Sequence, residues 1–522
     1  MGIYVLAYDI GTTGVKTCLY SISKESGISY VGGLTADYDL YVLDNGGVEQ
    51  DPEQWWSGMC VSTVKLLTDK NIASEEIKGI SFCAQMQAVV LTDADGRPVR
   101  RAMSYMDNRG GAQMDKVLGS GIKISGMNAA KALRSIKISG AVSASAKDPV
   151  WKYRWVADNE PEVFGRVYKW LDVKDWIVCR ATGRFVMSRD SAFATLMYDT
   201  RSGRFSEQLC RIFGVDMKHL PDICECTDEA GPLTDAAAAE LGLRAGIPVF
   251  SGGGDASLIG VGAGAVGEGD THIYVGTSGW ISTVVKKQEL DIGSMIASIV
   301  GADPAAFNCF AELETAGKCL EWARDEIGLD DESGRLREKE YSVIMAGISD
   351  VPAGSNGVIF TPWLHGNRCP FEDPDARGIF FGIGLGTCAE DMIHSVIEGV
   401  AFHLRWQKES MEKKVSISDT VRFAGGGALA PLTCQIMADV LGRRIETVED
   451  PQDAGAAGAA ALMAAGLGLI KDIREAGTLI HAVQTYEPIR ENTAVYDELF
   501  PVFKDLYKNN RAAFRAMSGK SR

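Results

Sequence analysis

Two stretches of the chain place runs of β-branched and aromatic residues on either side of the same kind of polar turn. In the first, Ile3-Tyr4-Val5-Leu6-Ala7-Tyr8 leads through Asp9-Ile10-Gly11-Thr12-Thr13-Gly14 into Val15-Lys16-Thr17-Cys18-Leu19-Tyr20. Such a pattern predicts a β-hairpin whose tip is the polar turn. In the second, His272-Ile273-Tyr274-Val275 passes through Gly276-Thr277-Ser278-Gly279 into Trp280-Ile281-Ser282-Thr283-Val284-Val285. Gly276 follows Gly11 by 265 positions in a chain of 522, so the pattern predicts an internal duplication of two similar halves. The copies differ at one telling place, where Asp9 is answered by Tyr274.

The rest of the pattern alternates strands and helices. A helix is predicted from Pro52, with Asp51 before it and Glu53 near its positive end, to about residue 67. A buried strand over 77–83 delivers Gln85-Met86-Gln87 to its carboxyl end, and a further strand over 88–91 leads toward Tyr105-Met106-Asp107-Asn108-Arg109. Residues 119–147 are rich in Ser, Gly, Ala and Lys with little periodicity, and read as a mobile connection. Helices follow over 149–156 and 173–180. A helix over 236–243 ends in Arg244-Ala245-Gly246, and a strand over 247–250 is expected to open the second half. The expected domains are therefore 1–246 and 247–522, with a hinge near 243–250. Beyond lie a helix over 389–411, a strand over 421–424, the run Gly425-Gly426-Gly427-Ala428 and a helix over 432–441. The Ala- and Gly-rich stretch 454–470 is too short to span a membrane and reads as a closely packed helix.

Composition narrows the field. Apolar residues make up 46% of the chain and charged residues 23%, as in an ordinary soluble globular protein. A formal net charge of −16 argues against nucleic acid or an anionic membrane as partner, since either needs a basic face. The N-terminus opens directly on a strand pattern with no secretory signal, so a cytoplasmic location is expected. The twelve cysteines include no pair of C-x-x-C spacings and read as reduced, packed thiols.

The glycine turns carry the candidate chemistry. Glycine lets a backbone approach a ligand closely, and turn N–H groups with Thr hydroxyls suit anionic oxygens. Gly11, Thr12 and Thr13 with Gly276, Thr277 and Ser278 therefore form two candidate phosphate cradles, each of which could equally close a plain hairpin. Lys16 reads either as a phosphate contact or as a solvated strand residue. Ser251-Gly252-Gly253-Gly254-Asp255-Ala256 presents one carboxylate where a strand meets a helix, for chemistry or as an N-cap. An acid, an amide and a guanidinium around 107–109 suit polyol hydroxyls, or belong to a surface loop. Gly425–Ala428, between a strand and a helix N-terminus, suits a nucleotide. Gly262-Ala263-Gly264-Ala265-Val266-Gly267 spells a dinucleotide fingerprint but follows a helix and precedes a strand, the reverse of the required order, so NAD is excluded.

Together, Asp9-x-Gly-Thr-Thr, Gly276-Thr277-Ser278 and Gly425-Gly426-Gly427 resemble the phosphate and adenosine motifs of the actin, Hsp70 and sugar kinase superfamily. Pro149-x-x-Lys152-Tyr153-x-Trp155-Val156-x-Asp158-Asn159 resembles one signature of the FGGY carbohydrate kinases. The other runs from Gly378-Ile379-Phe380-Phe381-Gly382-Ile383 to Asp391-Met392-Ile393-His394-Ser395-Val396-Ile397-Glu398. Within that family the likeness is to xylulokinases, through 357–368 and 424–441. Two departures stand out: Met86-Gln87-Ala88 replaces their usual Met-His-Gly, and Ala256 follows the position of their base.

The resemblance implies an α/β fold of two actin-like (ribonuclease H-like) domains with the active site in the cleft between them. It implies transfer of the γ-phosphoryl of ATP to a hydroxyl of a small ketose or polyol. Asp255 falls on the catalytic base, Gln85, Met86, Gln87, Asp107, Arg109 and Asp255 on the sugar, and Asp9 on a Mg²⁺ held through water. Gly11, Thr12, Thr13, Lys16, Gly276, Thr277, Ser278, Gly317, Gly426, Gly427 and Ala428 fall on the nucleotide. The alternatives are a kinase of another polyol or of a sugar acid, or an actin/Hsp70-like ATPase with no sugar. The expected partner is a small molecule, with a homodimer allowed.

Overall fold

The computed structural model describes residues 2–124, 126–327, 330–331, 334–335 and 341–518. The chain divides into two compact units. The first comprises Met1–Val266, Ile299–Phe307 and Asp453–Ile480, and the second Gly267–Ser298, Asn308–Gln452 and His481–Arg522.

The first unit is built on the antiparallel meander β1 (Ile3–Ile10), β2 (Gly14–Ser23) and β3 (Gly27–Asp37). The strand β4 (Ile77–Ala84) lies parallel to β1 on its other side. Next come β5 (Glu229–Pro232) and β6 (Pro248–Phe250), β6 parallel to β4 and β5 antiparallel to β6, while the short β7 (Gly253–Gly254) pairs with the end of β4. The sheet order is β5-β6-β4-β1-β2-β3. Alternation along β1 sends Leu6, Tyr8 and Ile10 into one core with Trp55, Trp56 and Met59 from the helix Pro52–Lys70. That helix begins where the sequence predicts, because Asp51 accepts the Glu53 N–H and Pro52 has no N–H in want of an acceptor, and it ends on Asn71 in the left-handed region.

In the second unit β8 (Thr271–Val275) and β9 (Gly279–Val285) form the antiparallel hairpin, and β10 (Phe307–Leu313) lies beside β9. On the other side of β8, β11 (Thr420–Ala424) is parallel to it, β12 (Arg444–Val448) is parallel to β11, and β13 (Ala482–Tyr486) closes antiparallel. The order β10-β9-β8-β11-β12-β13 repeats that of the first sheet: hairpin, two parallel strands, one antiparallel edge. The duplication read from two turns extends to six strands of each sheet, and the second sheet carries two further strands, Leu290–Asp291 and Ile296–Val300, beyond β10.

Three expectations change. The segment 247–266 belongs to the first unit, not the second, because β6 and β7 take their backbone partners from β4. A boundary at 246/247 would cut that sheet, because Pro248–Phe250, within the expected hinge near 243–250, is one of its strands. Residues 453–480 also return to the first unit, where the helix Ala454–Gly466 lies against the helix Asp255–Gly262 at glycine contacts: a Cβ on Gly458 would meet the Leu258 carbonyl oxygen at 2.2 Å. Finally, the stretch 119–147 contains the helix Ala129–Ser139, started by the Asn128 side chain accepting the Lys131 N–H and ended on Gly140 in the left-handed region. Among the described residues no helix is long and apolar enough to cross a membrane.

Candidate functional site

Strand register brings the first unit's chemistry to one sheet edge. Ile10 on β1 pairs with Ala84 on β4, and Ala84 pairs with Gly254 on β7. The residues that follow these three are Gly11, Gln85 and Asp255, so the candidate phosphate turn, the candidate sugar loop and the candidate base emerge side by side. That edge is the carboxyl end of the parallel strands, where α/β sheets bind ligands.

The first turn has all four carbonyls tied to the protein. Gly11 O accepts from the Tyr38 hydroxyl at 2.5 Å, and Gly14 O from Tyr38 at 3.0 Å and from Gly11 N–H at 2.9 Å. Thr12 O accepts from Gln50 Nε2 at 2.6 Å and Thr13 O from Tyr38 N–H at 3.0 Å. With the oxygens held by protein donors, none of the four is left to oppose an anion at the turn. Thr13, at the tip, is exposed.

Asp9 sits opposite Lys16 across the hairpin and beside Cys83 on β4. Burial holds its carboxyl above the ordinary range, Asp453 adds to that, and Lys16 and the Cys83 thiol oppose it. Lys16 Nζ makes an ion pair with Asp453 at 3.1 Å, so the residue expected at the phosphates is committed to a carboxylate that the sequence reading had not singled out. Among the described residues no group of three or more His, Cys, Asp and Glu could enclose a metal. One desolvated carboxylate suits the looser role, because Mg²⁺ keeps most of its waters and takes one or two protein carboxylates beside substrate phosphates.

The sugar loop is held from both ends. Gln87 lies in the left-handed region at φ 65°, unusual for a non-glycine residue. Its N–H and that of Ala88 donate to Asp172 at 2.9 and 3.0 Å, and its carbonyl accepts from Lys152 Nζ at 2.6 Å. Both groups are buried: the Asp172 carboxyl is pushed up to about 7 and the Lys152 ammonium pulled down to about 8, in each case mainly by desolvation. Lys152 also donates to Ser104 O at 2.9 Å. Gln85 Nε2 donates to Gln50 Oε1 at 3.0 Å, so Gln50 links the sugar loop to the phosphate turn. Met86 fills the space beside Gly254, where a Cβ would lie 2.2 Å from its Sδ.

Asp107 and Arg109 are brought together, facing inward. Asp107 is fully buried and accepts from the Val48 N–H at 3.0 Å and from Arg109 Nη2 at 2.6 Å. Arg109 also donates to Glu49 at 2.6 Å and lies over the Trp155 ring at 4.3 Å. Asp255 opens the helix Asp255–Gly262 and accepts the Ala256 N–H at 2.7 Å. The structure places it in the first unit with Asp9 and Gln87.

In the second unit the turn Gly276–Gly279 is tied in the same sense by other donors. Gly276 O accepts from Gly317 N–H at 2.8 Å, Thr277 O from Ala316 N–H at 3.0 Å, and Ser278 O from Gly276 N–H at 2.9 Å. Gly317 opens the helix Gly317–Glu326, and a Cβ there would lie 2.5 Å from Gly276 O. Tyr274, in Asp9's place, stacks on Trp280 at 4.2 Å. Gly425, at φ 91°, turns the chain after β11 into the short helix Gly426–Leu429, and a Cβ on Gly426 would meet nothing within 4 Å. The second unit therefore brings Gly276, Thr277, Ser278 and Gly317 together at one end of β8, with Gly426, Gly427 and Ala428 at the end of the neighbouring β11.

Sequence reasoning missed Gln50, Lys152, Asp172 and Asp453 as supports. Lys152 carried a signal, being a signature position, and Asp172 another, standing immediately before a predicted helix. The remainder act across large sequence separations.

Models of the FGGY family of carbohydrate kinases match the chain twice, the N-terminal domain over residues 4–262 and the C-terminal domain over 272–467. A xylulose kinase of Staphylococcus xylosus is 26% identical over 506 residues, covering 97% of this chain and 99% of that protein. A gluconokinase of Bacillus subtilis is 26% identical over 509 residues, covering 96% and 95%. The crystal structure of a ligand-bound xylulose kinase from Lactobacillus acidophilus superposes with a TM-score of 0.85 at 24% identity, covering 98% of this chain and 99% of that one, and shows the likeness of fold.

Proposed function

The chain belongs to the FGGY family of carbohydrate kinases and is an ATP-dependent sugar kinase, and from that premise we propose how its residues divide the work. The observation that carries the proposal is the shared sheet edge, where register sets Gly11, Gln85 and Asp255 side by side.

Asp255 takes the proton of the acceptor hydroxyl as its oxygen bonds to the γ-phosphorus. The bond from that phosphorus to the β–γ bridging oxygen breaks, and ADP leaves. In the first unit the turn donors and Thr13 serve the phosphates; in the second unit Thr277 and Ser278 have the same role, and Gly426, Gly427 and Ala428 line the adenosine site. Asp9 would hold a Mg²⁺ ion, as the family resemblance implies, and such an ion would supply charge neutralisation at the phosphates.

A neutral ketose or polyol fits the sugar side better than a sugar acid. Arg109, the cation expected there, is committed to Asp107 and Glu49, so it offers little to a substrate carboxylate. Gln87 replaces the imidazole usual in xylulokinases, and an amide matched to a substrate hydroxyl rejects acceptors that leave it unpaired, by about 1–3 kcal/mol per missing partner once the bound substrate excludes water. D-Xylulose is accordingly expected to be a weaker acceptor than another neutral polyol. The test is ADP release across ketoses, polyols and aldonates, with Asp255→Asn as control. Turnover should fall about 10²–10⁴-fold in that variant with nucleotide affinity intact. Full turnover by Asp255→Asn would remove the base assignment, and exclusive use of D-xylulose or of an aldonate would remove the substrate reading.

A further inference from the structure

Asp255 leaves the sheet through Gly252, Gly253 and Gly254, and a fully buried carboxylate grips that turn. Asp190 Oδ2 accepts the Gly254 N–H at 2.7 Å. Its Oδ1 accepts the Ser191 N–H at 2.9 Å, the Ser188 hydroxyl, and the Cys226 thiol at 3.5 Å. Behind it the buried Lys174 Nζ donates to Ser188 Oγ at 2.5 Å and to Asp175 Oδ1 at 2.6 Å. A chain of buried polar groups, Asp175-Lys174-Ser188-Asp190, therefore ends on the amide immediately before Asp255. Burial opposes ionisation of Asp190, but Lys174 and the hydrogen bonds outweigh it and hold its carboxyl below the ordinary range.

The turn has little room to relax. A Cβ on Gly253 would lie 2.9 Å from Leu258 Cγ and 3.2 Å from Asp190 Oδ2. On its outer side Gly254 is bounded by Met86. Buried ions are a costly way merely to fill a core, since apolar residues of the same volume often serve as well. A charge-assisted bond does something that apolar packing does not: it fixes the orientation of one peptide.

We propose that Asp190 is a positioning residue for phosphoryl transfer, its bond to the Gly254 amide setting where Asp255 points. This rests on the assignment of Asp255 as the base. A misplacement of about 1 Å can cost about 10²-fold in rate without weakening binding.

The experiment is a double-mutant cycle on the full chain, with melting temperature and nucleotide binding measured for each variant. Asp190→Asn keeps shape and removes the charge; its kcat should fall about 10–100-fold with the KM for ATP and for the best acceptor changed less than about twofold. In an Asp255→Asn background the same substitution should change the residual turnover less than about twofold, because the group it positions is already gone. Ser188→Ala, which cuts the link from Lys174, should lower kcat in the same direction by a smaller factor, and it reads the same cycle if Asp190→Asn does not fold. Wild-type kcat in folded Asp190→Asn, or an equal loss in both backgrounds, would overturn the proposal while leaving the base assignment standing. Full turnover by Asp255→Asn alone would overturn the base assignment and the positioning role with it.

Discussion

The two Gly-Thr turns share a backbone plan and differ in everything that charge can distinguish. In both, the turn carbonyls are consumed by protein donors. In the first turn those donors include the side chains of Tyr38 and Gln50; in the second they are main-chain amides, Gly317 at a helix start among them. Behind the first turn lie Asp9, Lys16 and Asp453, whereas behind the second lies an aromatic stack of Tyr274 on Trp280. The duplicated turn keeps its carbonyls tied to the protein in both copies, with ionisable groups packed behind one and stacked aromatic rings behind the other.

The largest effect should come from removing that asymmetry. Asp9→Asn is expected to lower kcat about 10²–10³-fold and to raise the Mg²⁺ needed for half-maximal rate, whereas Tyr274→Phe should change either less than about threefold. Titrating Mg²⁺ in an ADP-release assay checks both, and equal losses at the two positions would end the distinction.

Gly317→Ala sharpens the second side of the comparison. The new Cβ, 2.5 Å from Gly276 O, must push the turn or the helix, so KM for ATP should rise about tenfold, in line with an overpacking cost of about 1–3 kcal/mol. Gly426→Ala is the control, because its Cβ meets no protein atom within 4 Å. Its melting temperature should match wild type while nucleotide affinity falls, as isothermal titration can show.

Gln50→Leu tests the side-chain support of the first turn. It removes the donor to Thr12 O and the acceptor for Gln85, orphaning buried groups at about 1–3 kcal/mol. Since Gln50 touches both the phosphate turn and the sugar loop, KM for ATP and for sugar should rise together, by about three- to tenfold. A change in only one would show that the link is not used.

The smallest effect should be a shift in pH dependence. Burial already raises the Asp9 carboxyl, and Lys16 holds it down. A reaction that needs Asp9 ionised loses rate as pH falls through the folded value, so Lys16→Met should move the acid limb of kcat/KM upward, with a greater loss near about pH 6 than near about pH 8. An unmoved limb would mean that Lys16 does not govern the ionisation of Asp9.

Much of each unit was legible along the chain because its signals are local. The hairpin Asp9–Gly14 announces itself by flanking β-branched runs, Pro52 by its place behind Asp51, and the helix Ala389–Met411 by its period. The helix Ala129–Ser139 inside 119–147 went unread because it is short and Ala-, Ser- and Lys-rich, so its caps Asn128 and Gly140 were not recognised as helix ends. The Ala-rich run was recognised as a packed helix, yet neither its partner Asp255–Gly262 nor the return of Asp453 to Lys16 could be read, since each joins positions far apart in the chain.

What the sequence by itself determined is the set of chemical tools: glycines where the backbone must come close, hydroxyls and one carboxylate at a turn, an acid after a glycine run. Local sterics and the period of the apolar residues suffice for that. Only the tertiary structure decided which tools share a workbench. Strand register, a matter of hydrogen bonds between distant segments, put Asp255 in the same unit as Asp9 and moved the boundary past 247–266. Burial turned Asp107 and Arg109 inward on each other, and the buried Asp190 acquired its hold on Gly254 only when two segments 64 residues apart were packed together.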